Sequence, residues 1–398
     1  MTDFLLLLRA GLYESPELLD GFQPLSAGEW ETIYEQSKRQ TVSGIIYRAL
    51  SFLPDECLPP YPLLLRWTAR VHRIELSHAA MEKALAKLQH LFAAKGITPI
   101  LQKGLDVARF YAQPQLRVCG DIDLYFPKEI RTKADEVILN SGIRLMNAPD
   151  GSSVYDFGGI EVEHHSSLIE LHSPLAKRRL RHLLAAPADT ITLSDGTSVA
   201  VPAPLTDLVM INVHIMKHCL GMGIGMRHFC DYALACRRLL PIIGEQTYLD
   251  TCRRLGISRW TNILHSFIAT YLAFDGANGA AEVNGANEKS GEAPMLKQTP
   301  TQTLKQNQGS PAFSVASVDP VAPVAPEKSK KISAKVFDLV MEGGNFGLYR
   351  RDKQSAAAHA LRRKGATLRA FITNANLAMR IAPAETISTM LSLAKGNL

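Results

Sequence analysis

The residues best equipped for chemistry lie between positions 97 and 126, ITPILQKGLDVARFYAQPQLRVCGDIDLYF. Read with a period of two, Arg117, Cys119, Asp121, Asp123 and Tyr125 share one face of a strand. Val118, Gly120, Ile122, Leu124 and Phe126 share the other. Two carboxylates on neighbouring positions of one face repel, and a cation between them relieves the repulsion. Asp121 and Asp123 are therefore candidate metal ligands. Upstream, a short apolar strand over 98–101 runs into Lys103 and Gly104, and the spacing of Leu105, Ala108, Arg109 and Ala112 predicts a helix straight after. An ammonium and open backbone N–H groups at such a turn suit a phosphate. Arg117, on the carboxylate face, suits either a phosphate or a structural ion pair.

Three later stretches add to this set. Residues 154–157 and 160–165 flank Gly158-Gly159 and predict a β-hairpin whose second strand carries Glu161, Glu163 and His165 on one face. Glu170, in LIELH, sits in similar local sequence. His214 and His218 are four apart on a predicted helix over 205–219, a spacing that can chelate a metal, bond to a phosphate or pack on the sheet. Beyond a glycine-rich loop, Arg227 and Asp231 have the spacing of an intrahelical ion pair.

The ordered series LQKGLDVARFY, QPQLRVCGDIDLYF, VEHHSSL…SPLAKRRL, H-x-x-K-H, glycine loop, R-x-x-x-D and GNFG resembles the bacterial uncharacterised nucleotidyltransferase family of the polymerase β-type superfamily. The resemblance implies an α+β fold, a polymerase β-type mixed sheet with flanking helical domains. It implies transfer of a nucleoside monophosphate from an NTP to a hydroxyl or phosphate acceptor. Asp121, Asp123 and a third carboxylate would be catalytic and would hold Mg2+, with Mn2+ as the alternative. The family pattern places that third carboxylate at Glu163, with Glu170 as its competitor. Lys103, Gly104, Arg117, His214, Lys217 and His218 would lie on the nucleotide side. The wider superfamily carries Gly-Gly or Gly-Ser where this chain has Lys103-Gly104. The acceptor is open between a protein, a sugar and a small molecule. Nucleic acid is disfavoured, because no aromatic residues interleave the basic runs at 177–181 and 350–364. The competing classes are a catalytically silent nucleotide-binding module and a scaffold, but a silent site has no chemical reason to keep three carboxylates.

The elements that must position these residues divide the chain. Helical periodicity fills 1–96, ending in a long helix over 62–95 that delivers the chain to the first strand. The catalytic core is expected over 97–202 and a helical domain over 203–275. A low-complexity stretch rich in Ala, Asn, Gly, Gln, Ser, Thr and Pro predicts a disordered linker over 276–331, and a C-terminal helical segment takes 332–398. A chain of 398 residues, 46% hydrophobic and 21% charged, has room for two or three ordinary domains. Its net charge of +6 suits a phosphate-bearing ligand without demanding a polynucleotide. The six cysteines show no C-x-x-C, which predicts reduced thiols and a cytoplasmic protein. Five consecutive apolar residues after an acidic start predict no signal peptide, and no stretch is expected to be long enough to span a membrane.

Overall fold

The computed structural model describes residues 2–148, 151–220, 223–274, 326–344 and 377–394. Helices α1 (Thr2–Tyr13), α2 (Ala27–Arg39) and α3 (Ser43–Leu50) open the chain. A capping box starts α2: Ser26 Oγ accepts from the Glu29 N–H at 3.3 Å, and the Ser26 N–H donates to the Glu29 carboxylate at 2.8 Å. Gly44 lets α3 touch the loop that leads into the site, since a Cβ there would lie 2.3 Å from the Leu116 carbonyl oxygen.

Helix α4 (Tyr61–Ala93) serves two cores in turn. Its first half buries Leu63, Trp67 and Val71 among helices, and its second half buries Met81, Leu85, Leu88 and Phe92 beneath the sheet. The apolar periodicity of 62–95 serves both partners, with an exposed stretch between them.

Among the described residues every strand falls between Ile100 and Val201. They are β1 (Ile100–Gln102), β2 (Ile122–Tyr125), β3 (Met146–Asn147), β4 (Ser153–Asp156), β5 (Glu161–His165), β6 (Asp189–Thr192) and β7 (Ser198–Val201). They form one mixed sheet in the order β3-β4-β5-β2-β1-β7-β6. Strand β2 runs antiparallel to β1 and parallel to β5 at its centre. Alternation sends Ile122, Leu124 and Val162 to the back of the sheet, against α4 and α6 (Lys128–Asn140). Asp123, Glu163 and His165 go to the front.

Three expectations change. The strand through 117–126 is only four residues long, because the Arg117 N–H turns back to the Pro114 carbonyl and 117–121 stays outside the ladder. The helix after Lys103 also ends early: α5 covers Gly104–Ala108. The helical regions expected before and after the sheet share one core. In it α1 and α3 pack with α7 (Pro174–Leu184), α8 (Pro204–Leu220), α9 (Met226–Ile243), α10 (Glu245–Leu255) and α11 (Ser258–Leu272). Arg9 ties the ends of that core together by donating to the Thr270 and Tyr271 carbonyls at 3.0 Å.

The expected linker is also shorter at its far end. Helix α12 (Pro326–Gly343) begins inside it, at a proline whose fixed φ suits the first helical turn, with Glu327 next to it. It buries Ile332, Val336, Phe337 and Val340 in the helical core. The rest of the linker, residues 345–347 of the GNFG motif and the basic run at 350–364 lie outside the described residues.

Candidate active site

Strands β2 and β5 bring the acidic residues together by register. Ladder partners in the parallel pair are Ile122 with Val162, Asp123 with Glu163, and Tyr125 with His165. A slip of one residue would send Glu163 to the back, so the apolar Ile122–Val162 pair beneath also fixes the front. The carboxylates of Asp121, Glu161 and Glu163 have oxygens within 4.8 Å of one another. So do the ligand atoms of Asp123, Glu163 and His165. Glu163 belongs to both groups. Glu170, the competitor for the third position, lines the same cavity but forms an ion pair with Lys217 on α8.

The two aspartates are in opposite electrostatic states. Burial would raise Asp123, which is 4% exposed, but the ammonium of Lys103 at 3.0 Å and His165 Nε2 at 2.6 Å hold its carboxyl well below the usual range. His165 moves the other way. Burial would lower it, yet hydrogen bonds to Asp123 and, at 3.2 Å, Glu163 push it up to about 9. No donor among the described residues reaches the Asp121 carboxylate. Burial and the charges of Asp123 and Glu163 push that group up to about 7. Of the two aspartates, Asp121 is thus the one whose charge the protein leaves less compensated.

Lys103 stands at a strained turn. Its φ of 55° lies in the left-handed region that favours glycine. Gly104 follows at φ 24°, where a Cβ would come within 3.1 Å of the Asp121 carbonyl oxygen. The chain therefore keeps the sharp turn that Gly-Gly would make easily and places an ammonium on it. That ammonium stays charged. Burial would lower it, but Asp123, with Asp121 and Glu170 behind it, outweighs burial and raises it.

Arg117 takes the ion-pair role. Its Nε and Nη2 donate to the two Asp231 oxygens at 2.8 and 2.7 Å, and Nη1 donates to the Gly104 carbonyl at 3.0 Å. It thereby fastens the Lys103-Gly104 turn to α9. Asp231 is engaged by Arg117, and by the Tyr111 hydroxyl at 2.6 Å, in place of the expected bond to Arg227. Arg227 donates to the Val118 carbonyl at 2.6 Å, while its buried Nε finds no partner.

Helices α8 and α9 face the carboxylates across a cavity of about 290 Å³. His214 and His218 have ring centroids 4.4 Å apart, and His228 on α9 lies 5.8 and 5.7 Å from them. Burial makes all three poor bases. Neighbouring cations add to this: Lys217 for His218, which falls to about 3, and Arg227 for His228; beside His214, the His218 ring has the same effect. Every proposed site residue, Lys103, Gly104, Arg117, Asp121, Asp123, Glu163, His214, Lys217 and His218, lines this one cavity. Glu161 and His165 were visible on the Glu163 face in sequence, but their closeness to the aspartates was not. His228 gave no sequence signal at all.

Residues 26–272 match the family described as uncharacterised nucleotidyltransferase, and the chain belongs to that family. It is accordingly an enzyme of the class that transfers phosphorus-containing groups. No curated protein and no solved structure matches it.

Proposed function

We propose that this enzyme transfers a nucleoside monophosphate from an NTP to a hydroxyl or phosphate acceptor at a polymerase β-type site. The observation that carries the proposal is Asp121: a carboxylate that no donor among the described residues reaches, beside Asp123 and Glu163, in the cavity that Lys103 also lines. In the reaction the acceptor oxygen bonds to the α-phosphorus, the bond from that phosphorus to the bridging oxygen breaks with its electron pair leaving on pyrophosphate, and a hydroxyl acceptor passes its proton to water.

The donor set fits a hard divalent cation, because Asp121, Asp123, Glu161 and Glu163 offer carboxylate oxygens. Such an ion, Mg2+ or alternatively Mn2+, would supply neutralisation of the charge that builds on the transferring phosphate and its leaving oxygen. The protein's own groups do the rest. Lys103 contacts the leaving phosphates from its turn, and Gly104 allows the triphosphate to approach the backbone. Arg117 positions that turn through Asp231. Lys217 and Arg227 give the opposite wall a positive field, while neutral His214 and His218 donate hydrogen bonds to phosphate or ribose oxygens. Glu163 orients the acceptor hydroxyl. The six unpaired cysteines suit a reducing compartment, the cytoplasm. Among the described residues no helix is long and apolar enough to cross a membrane.

The test is incubation with Mg2+, cell extract and each NTP labelled in turn at the α- or γ-phosphate. Incorporation of the α-label alone is the expected result, and the labelled species is the acceptor. Transfer of the γ-label would mean phosphoryl transfer. Binding without any incorporation would favour the silent module.

A further inference from the structure

The front of β5 carries a nitrogen donor as well as oxygens. His165 Nε2 lies 2.6 Å from Asp123 Oδ1 and 3.2 Å from Glu163 Oε2, so two carboxylates converge on one imidazole nitrogen. The main chain fixes this arrangement. His165 pairs with Tyr125 in the ladder, and its carbonyl accepts the Phe126 N–H at 2.9 Å. A second feature points at the same place. Gln102, the ladder partner of Asp123, is 1% exposed, borders the cavity, and has no hydrogen-bond partner for either amide atom among the described residues. Leaving the bonds of a buried carboxamide unmade is costly, so its position beside the cluster points to a bound partner there.

We propose that His165 is a metal ligand. With Asp123 and Glu163 it forms a mixed nitrogen and oxygen site for a divalent transition-metal ion, Mn2+ being the probe of choice. Asp121, Glu161 and Glu163 form a neighbouring all-oxygen site suited to Mg2+, and Glu163 bridges the two. Imidazole nitrogen favours transition metals over magnesium, which binds oxygen and keeps its waters. Gln102 completes the inner position as a neutral hydrogen-bonding partner to ligand oxygens or to bound water. This assignment rests on the carboxylate cluster being a metal site, as the proposed function requires, but not on the nucleotide or the acceptor.

The opposing account makes His165 a cationic placeholder that a metal must expel. The two accounts differ in sign. Mn2+ is titrated into the full-length protein without nucleotide, wild type and His165→Gln, and free Mn2+ is followed by electron paramagnetic resonance. Mg2+ competition is measured in parallel. Ligation predicts that His165→Gln weakens the tighter Mn2+ site by about tenfold or more, with Mg2+ affinity changed by less than about threefold. Pulsed resonance on the Mn2+-loaded wild type should show coupling to an imidazole nitrogen, and the variant should lack it. Unchanged or tighter Mn2+ binding by the variant would overturn the assignment. So would wild-type protein that binds Mn2+ without nitrogen coupling, a result that needs no variant. Neither readout involves nucleotidyl transfer, so a failure here is distinguishable from failure of the proposed reaction.

Discussion

His164 and His165 are consecutive on β5, and each bonds to an aspartate, yet they occupy different chemical worlds. His164 Nδ1 lies 2.7 Å from Asp135 at the back of the sheet, where the ring is wholly buried among Phe92, Phe126 and Tyr155. Burial lowers its pKa despite Asp135. His165 faces the cavity, and Asp123 and Glu163 overcome its burial to bring it to about 9. One pleat thus separates a face that holds the fold together from a face that gathers charged groups around the cavity. The shared partner type shows that an aspartate alone does not set a histidine's state; the neighbours around the pair do.

The largest expected difference lies in their titration. In metal-free protein, carbon-bound ring protons followed by NMR should place His165 near 9 and His164 below the ordinary histidine value. The signs of the linked stabilities are opposite. The His165 contribution is full below about 6.5 and is lost as pH rises through about 9. His164 lowers stability as pH falls below about 6.5, where the unfolded chain takes up a proton that the folded chain resists. Equal titration of the two rings would break the comparison.

Back-face packing should appear in stability. Phe126→Ala removes a ring that is 0% exposed and is expected to cost about 3–5 kcal/mol in denaturant unfolding. On the front, Asp121→Asn should have the reverse effect. The Asp121 carboxyl is pushed up to about 7, so its ionisation opposes folding as pH rises from the ordinary carboxylate range through about 7. Above that, in the absence of metal, the variant should gain on the order of 1 kcal/mol or more, and nothing below about pH 4. The smallest effect concerns the Lys103 turn. Lys103→Gly and Lys103→Ala both delete the ammonium, but glycine also relieves the positive φ, so it should be more stable than alanine by about 1 kcal/mol.

Much of this division was legible in the sequence. Alternation predicts which side of β5 carries Glu163 and His165, and Lys103-Gly104 predicts a phosphate-suited turn; that the turn lies beside Asp123 comes from the β1–β2 pairing. What sequence could not supply was pairing across long separations. The choice of Glu163 rested on the family pattern; the β2–β5 register sets it beside Asp123, while Glu170 pairs with Lys217 on α8. Arg117 could not be assigned until Asp231, more than a hundred residues on, reached it from α9. His228 has no helical partner spacing to His214, and only the packing of α8 on α9 brings them together. Pro326 falls at the end of the low-complexity composition that predicts a linker, yet proline also suits a first helical turn, and the apolar residues of α12 against the helical core decide for the helix.

The central claim is that the front carboxylates carry the chemistry. Its most direct test is α-labelled nucleotide transfer by the Asp121→Asn, Asp123→Asn double variant against wild type, with folding checked by thermal unfolding. Loss of metal stabilisation worth several kcal/mol predicts a fall of about a hundredfold or more in a protein that still unfolds cooperatively. Transfer at the wild-type rate by a folded double variant would contradict the account.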